Sequence, residues 1–493
     1  MRVRVAIAVV AALVAVGGGV GPAAADDPTT TTTAATPPVA SAPAKLVPRT
    51  CDTKVATPVR CYWLEVPEHR GVAGTRTLRL WVAVFTPRGT PSTALPSLSL
   101  TGGPGDAAST SFVDGRASLV GAPRPFVVVD QRGTGRSTPR PSCPQLDTTI
   151  DPRLPWSQQL TQVKARATTC ASKLRAEGFD LDGYNTIENA ADFVDLRKLL
   201  GFSRWDVYGL SYGGRLAPEL YRQDPAAVRR MHLDSPIASS HLGPASLLAR
   251  AKAAVLRADA ACAKVTTCAA DGSLAANLDR AYQRLEAHPF VTTVGGVKRI
   301  INGDTLLSGA FQALYRTDLI PLLPAVAKGL AGGDTSILGP LAQQLVPSVG
   351  TVDSSSRPIE SLIDCADDGP ATAADEAVMA NPGRWSALLA DPRNTCAAWG
   401  LTGVPGGHLP RPGGNVPTLL TEGQLDPIAP VTFFGGTIKR EFPNITVAVV
   451  RGAGHVVAFA NPCITSISVA FADGPNPHPS TGCLAGLPLV FSG

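Results

Sequence analysis

Three side chains in this chain of 493 residues have the types and settings to act together in nucleophilic catalysis: Ser211, Asp426 and His455. A serine hydroxyl is a weak nucleophile near neutral pH. It needs a base within hydrogen-bond reach, and the base needs an acid that fixes its tautomer and steadies the imidazolium. Ser211 sits in Gly209-Leu210-Ser211-Tyr212-Gly213, after the apolar Trp205–Tyr208 stretch and before Gly214-Arg215-Leu216. In a chain with 48 glycines that pentapeptide arises readily by chance. Its setting carries the reading: a short buried strand, a sharp turn that glycines permit, then a helix whose amino end favours a developing oxyanion. Of seven histidines, His455 and His478 follow the last core strand. His455 comes directly after that strand in Gly452-Ala453-Gly454-His455, whereas His478 lies in a Pro-rich tail. Asp426 is the expected acid, in a loop just past a strand end. Glu422 is its rival, nearer the strand body.

The elements that must position these groups read as α/β. Cys61–Pro67, Thr77–Thr86, Leu95–Leu100, Pro125–Val129, Arg229–Asp234, Val416–Thr421 and Ile445–Val450 have strand patterns, and Glu188–Leu200 has helical spacing with Ala191, Phe193, Val194, Leu196 and Leu199 on or near one face. Leu95–Leu100 runs into Thr101-Gly102-Gly103-Pro104-Gly105. The chain order serine, acid, histidine, with a Gly-rich loop after an earlier strand, resembles that of α/β-hydrolases. It points to the backbone N–H groups of Gly103 and Tyr212 as an oxyanion hole, with Gly102 beside Gly103. The expected fold is a mostly parallel central sheet with helices on both faces. Residues 49–236 and 408–493 form its two core parts, and 237–407 is a helical cap insertion, with helices over Pro244–Ala263 and Ser273–Ala287. Asp130 and Arg132, in Asp130-Gln131-Arg132-Gly133-Thr134-Gly135-Arg136-Ser137, read as loop-holding groups.

Composition narrows the class further. Hydrophobic residues make up 44% and charged residues 17%, as in a globular chain. Residues 1–25 read as a signal peptide: Arg2 and Arg4, the apolar Val5–Val16 run, then Ala23-Ala24-Ala25. Without those two arginines the formal charge of +5 becomes +3, too small to suggest nucleic acid binding. Residues 26–48 read as a disordered Thr/Ala/Pro linker. No later stretch is long and apolar enough to span a bilayer, so no stable membrane insertion is expected after cleavage, and the protein is placed outside the cell or in its wall. All 10 cysteines follow the leader, in an even number that suits disulfides in an exported chain. Spacing leaves connectivity open; nearest-neighbour pairing is the expectation. No Cys-x-x-Cys or His-Glu-x-x-His occurs, and neither metal nor cofactor is expected.

Taken together, Thr-Gly-Gly-Pro-Gly at 101–105, Asp-Gln-Arg-Gly-Thr-Gly-Arg-Ser at 130–137, Gly-Leu-Ser-Tyr-Gly-Gly at 209–214, Leu-Asp-Pro at 425–427 and Gly-Ala-Gly-His at 452–455 resemble secreted actinobacterial tripeptidyl aminopeptidases. These are relatives of proline iminopeptidase with a TAP-like C-terminal region. The resemblance covers roughly residues 50–490. It implies a serine peptidase that takes short peptides or single residues from peptides with a free N-terminus. Leu210 and Gly214 stand where members often carry Glu and Thr. Such a substrate's amine calls for a carboxylate, and Glu360, Asp367 and Asp368 are the acids to consider. An esterase or lipase on the same triad, and a non-catalytic binding protein on the same scaffold, are the competing readings.

Overall fold

In the strand Thr77–Phe85, Leu78, Leu80, Val82 and Val84 pack into one buried cluster, while Trp81, Ala83 and Phe85 pack into another. Successive side chains of a strand point to opposite faces, so a strand that is apolar at both parities must be covered on both sides. Burying each such side chain fully contributes about 1.5–3 kcal/mol. That requirement places helices on both faces of the sheet.

The structure is a computed structural model that describes residues 42–53, 57–112, 122–238, 240, 242–345, 355–404, 413–488 and 491. Its strands are β1 (Lys45–Arg49), β2 (Val59–Pro67), β3 (Thr77–Phe85), β4 (Ser97–Leu100), β5 (Phe126–Val129), β6 (Trp205–Leu210), β7 (Val228–Asp234), β8 (Phe290–Val294), β9 (Val297–Ile301), β10 (Thr418–Gly423) and β11 (Ile445–Val450). Nine of them form one sheet in the order β1-β2-β3-β5-β4-β6-β7-β10-β11. β1, β2, β3 and β5 pair antiparallel in turn, and β5, β4, β6, β7, β10 and β11 pair parallel in turn. The chain moves from β4 to β5 on one side and returns to β6 on the other. That reversal is a topological switch point, and open α/β sheets bind ligands outside the carboxyl ends of their strands at such points. The fold class is as expected.

Three details differ from the sequence reading. Lys45–Arg49 pairs with Cys61–Glu65 as β1, so ordered chain begins inside the span expected as linker. Its backbone bonds to β2 supply the order that its side chains do not signal. Leu199 is exposed (42%), because the helix Thr186–Leu199 buries Glu188, Asn189, Ala190, Asp192, Phe193 and Leu196 instead. β8 and β9 form a separate hairpin within the helical segment between β7 and β10, turned by Gly295 and Gly296 at φ 56° and 78°. Two consecutive residues with positive φ are what a two-residue hairpin turn demands. The proposed signal peptide and residues 26–41 of the proposed linker lie outside the described residues.

The helical segment between β7 and β10 has its own buried cluster, built on Leu248, Leu278, Leu306, Phe311, Leu314 and Ile320 among others. The helix Leu274–Ala287 starts at Ser273, whose hydroxyl accepts the Ala276 N–H at 3.1 Å, as the N-cap pattern predicts. Five disulfides join Cys51–Cys61, Cys143–Cys170, Cys262–Cys268, Cys365–Cys396 and Cys463–Cys483, each to its sequence neighbour. Among the described residues no helix is long and apolar enough to cross a membrane.

Candidate active site

Ser211 follows β6 directly and has φ 54°, a left-handed conformation that costs a non-glycine residue roughly 1–3 kcal/mol. The surroundings hold it there. Its N–H donates to the Asp234 carbonyl at 2.9 Å, and its carbonyl accepts from the N–H groups of Gly214 (2.9 Å) and Ile237 (3.2 Å). The turn also needs close backbone approach. A Cβ on Gly213 would strike the Leu100 carbonyl, and one on Gly214 would strike Pro236. The helix Gly213–Gln223 begins immediately after Tyr212.

The loop after β4 lies against this turn. A Cβ on Gly102 would sit 3.0 Å from Ser211 Cβ, and Gly103 has φ 101°. Gly103 and Tyr212 therefore stand on the two loops that flank Ser211.

His455, beyond β11, is buried and anchored by its neighbours. Its N–H donates to the Tyr315 carbonyl at 2.9 Å, and the Gly454 N–H donates to Thr317 Oγ1 at 2.9 Å. Val456, at φ 62°, donates to Ser235 Oγ at 2.9 Å. Asp234, fully buried at the end of β7, accepts the N–H groups of Val457 (2.9 Å) and Ala458 (3.1 Å), and the hydroxyls of Tyr208 and Thr421. A strand-end carboxylate thus fixes the histidine loop through two backbone N–H groups and is itself held by two hydroxyls from neighbouring strands.

Asp426 Oδ2 lies 2.6 Å from His455 Nδ1, and Oδ1 accepts the N–H groups of Ile428 (2.8 Å) and Ala429 (2.9 Å). An acceptor at Nδ1 places the proton there and leaves Nε2 to act as base. Burial alone would raise the Asp426 pKa. The His455 charge, with hydrogen bonds from His455, Glu422 and the Ala429 N–H, overrides it and holds the group at about 2. His455 Nε2 is buried and has no hydrogen-bond partner among the described residues. The Ser211 hydroxyl is instead within hydrogen-bonding reach of Tyr315, whose ring lies 4.3 Å from that of His455, centroid to centroid. The serine–histidine hydrogen bond is therefore not made in this arrangement.

Other residues weighed from sequence go elsewhere. His478 is exposed and meets Thr446, near the start of β11 and so at the far end of that strand from His455. Glu422 lies within β10, buried behind Asp426. Asp367 accepts the Thr186 N–H at 3.1 Å, Asp368 pairs with Arg215 at 3.1 Å and Glu360 with Arg393 at 2.8 Å, so all three acids serve internal ties. Asp130 accepts the N–H groups of Ser109 and Arg136, and Arg132 is buried against Asp192. Tyr315 and Asp234 were missed: a tyrosine ending an amphipathic helix and an acid ending a strand carry no signal of their own. A cavity of about 980 Å³ is lined by Leu278, Ile301, Leu306, Ser356 and Glu360 among others, but by none of Ser211, Asp426 and His455. Among the described residues no group of three metal-ligating side chains is gathered.

Comparison with known proteins agrees with this architecture. The family described as alpha/beta hydrolase fold matches residues 114–289, and the family described as TAP-like protein matches residues 382–483. The chain has the α/β-hydrolase fold, and its C-terminal part matches the TAP-like family. The hydrolase is similar to a probable proline iminopeptidase of Streptomyces coelicolor, 28% identical over 155 residues. That match takes in 31% of the hydrolase and 36% of the relative, so the hydrolase spans about a third of the length of the curated relative it matches. Among solved structures, a proline iminopeptidase from Mycobacterium smegmatis aligns with TM-score 0.37 and 16% identity, over 80% of the hydrolase and 94% of that chain. An esterase from Exiguobacterium antarcticum aligns with TM-score 0.37 and 12% identity, over 80% and 96%.

Proposed function

We propose that this hydrolase is an exported serine exopeptidase that releases tripeptides or single residues from the free N-termini of peptides. The observation that carries the reading is the 2.6 Å pair between His455 Nδ1 and Asp426 Oδ2 at the strand ends that also present Ser211 on a strained turn. In this reading Ser211 Oγ attacks the scissile carbonyl as its proton passes to His455 Nε2. The Gly103 and Tyr212 N–H groups receive the oxyanion, and Asp426 steadies the imidazolium. His455 then protonates the leaving amine, which departs with the rest of the peptide. Water, activated by His455, releases the acyl product and restores Ser211.

The resemblance to tripeptidyl aminopeptidases and the similarity to a probable proline iminopeptidase support a peptide substrate over a simple ester. Residues 237–407 act as a cap over the site, since Tyr315 from that segment touches both Ser211 and His455. Five disulfides support an oxidising destination, with residues 1–25 as the removed leader.

The test is digestion of a peptide library read by mass spectrometry, with Ser211→Ala as control. The expected products are N-terminal tripeptides or single residues, lost in the variant by about a million-fold in kcat. Cleavage only of acyl esters would move the assignment to an esterase. Undiminished peptide cleavage by Ser211→Ala would remove Ser211 from the mechanism.

A further inference from the structure

The triad uses Asp426 and leaves a second buried acid beside it without a task. Glu422 is 1% exposed, and Asp426, four residues later, is 0% exposed. The Glu422 carboxyl lies within hydrogen-bonding reach of the Asp426 carboxyl. Its Oε1 accepts the Gly423 N–H at 3.1 Å and faces Ser235 Oγ, the donor, at 3.4 Å. Asp426 spends Oδ2 on His455 and Oδ1 on two backbone N–H groups.

Two carboxylates cannot hydrogen-bond each other; one of them must carry a proton. The surroundings decide which. Asp426 has the imidazole and two N–H donors, all of which favour its ionised form. Glu422 is faced by Asp426 from the loop after β10 and by Asp234 from β7, both acidic. The cation nearby is Arg257 of the helix Pro244–Cys262, and its guanidinium donates at 2.8 Å to the Asp426 backbone carbonyl. His455 is the partner of Asp426 Oδ2. Burial, together with Asp426 and Asp234, pushes the Glu422 carboxyl well above the usual range.

We propose that Glu422 is a positioning residue, held as the neutral acid, that donates a hydrogen bond to the Asp426 carboxylate and so extends the triad to Ser211–His455–Asp426–Glu422. Its neutral Oε1 takes the Gly423 N–H, which fixes the carboxyl plane, and its protonated oxygen faces Asp426. The role is to orient Asp426 toward Nδ1 without adding a second negative charge behind it. A second charge there would repel Asp426 and disturb the imidazole it holds.

The inference rests on the triad reading above, and the experiment separates the two. Wild type, Glu422→Gln and Glu422→Ala are treated with a fluorophosphonate probe, and the rate of Ser211 labelling is measured. Infrared difference spectra between wild type and Glu422→Gln are recorded at neutral pH. Glutamine keeps a donor toward Asp426 and an acceptor for Gly423, so labelling is expected to slow by no more than about threefold; alanine is expected to slow it about tenfold or more. The difference spectrum is expected to show the carbonyl band of a protonated carboxyl group. If alanine prevents folding, the spectrum and the glutamine rate still decide. Carboxylate bands in their place, or equal rates in folded glutamine and alanine variants, would overturn the role of Glu422 and leave the triad standing. Folded wild type that does not label at Ser211 would bring down the triad reading and this inference together.

Discussion

Proton bookkeeping at Asp426 and Glu422 gives opposite signs. The Asp426 carboxyl is depressed to about 2, so its contribution to stability is present above its unfolded value of about 4 and is lost as pH falls toward 2. In Asp426→Asn that contribution is gone. The stability gap between wild type and variant, read by urea denaturation, is expected to shrink as pH falls from about 5 to about 2. At neutral pH the same variant is expected to lose about 10⁴ in kcat, because the amide sets the wrong imidazole tautomer. The Glu422 carboxyl is raised, so its contribution is full below about 4.3 and fades as pH rises through its folded value. Glu422→Gln has no such dependence. Wild-type Tm is therefore expected to fall relative to Glu422→Gln as pH rises from about 4, by up to about 1.4 kcal/mol of stability per pH unit. A Tm difference that stays constant over that range would show an ionised Glu422. Ser211, Asp426 and His455 could be picked out in the sequence because each follows a strand pattern and two sit among glycines. The proton on Glu422 could not, since only folding brings Asp234 and Asp426 against it.

Among the elements, the turn after β6 tolerates least change. A Cβ at Gly213 meets the Leu100 carbonyl, which is backbone of a central strand and has nowhere to move. Gly213→Ala is expected to cost about 3 kcal/mol or more in urea denaturation, a value typical of a forced overlap in a packed core. A cost under about 0.5 kcal/mol would mean that the turn relaxes freely. Strands β3, β7 and β11 were legible because their apolar residues are dense and bounded by turn residues. β1 was not: Lys45, Pro48 and Arg49 carry no strand pattern, and its pairing with β2 is a tertiary fact. The hairpin β8–β9 was hidden for a related reason, since Val291 and Val297 are exposed and its strands alternate weakly.

For the molecule as a whole, the nine-stranded sheet and the helical segment each have a buried cluster, and disulfides tie distant stretches within them. Cys365–Cys396 closes the longest of the five loops, with a separation of 31 residues. Replacing both cysteines by serine is expected to lower stability by about 3–4 kcal/mol on the chain-entropy account, seen as a lower urea midpoint. The architecture was readable from the order of strands and the long helical interval; how that interval grips the sheet was not. Leu425 is buried in the cluster of the helical segment, and Ile428 packs against both clusters. Arg250 and Arg257, on one helix of that segment, donate to the carbonyls of Ile428 and Asp426. One helix is thus fastened to the backbone on which Asp426 rides, and shifting that helix would pull Asp426 away from its histidine.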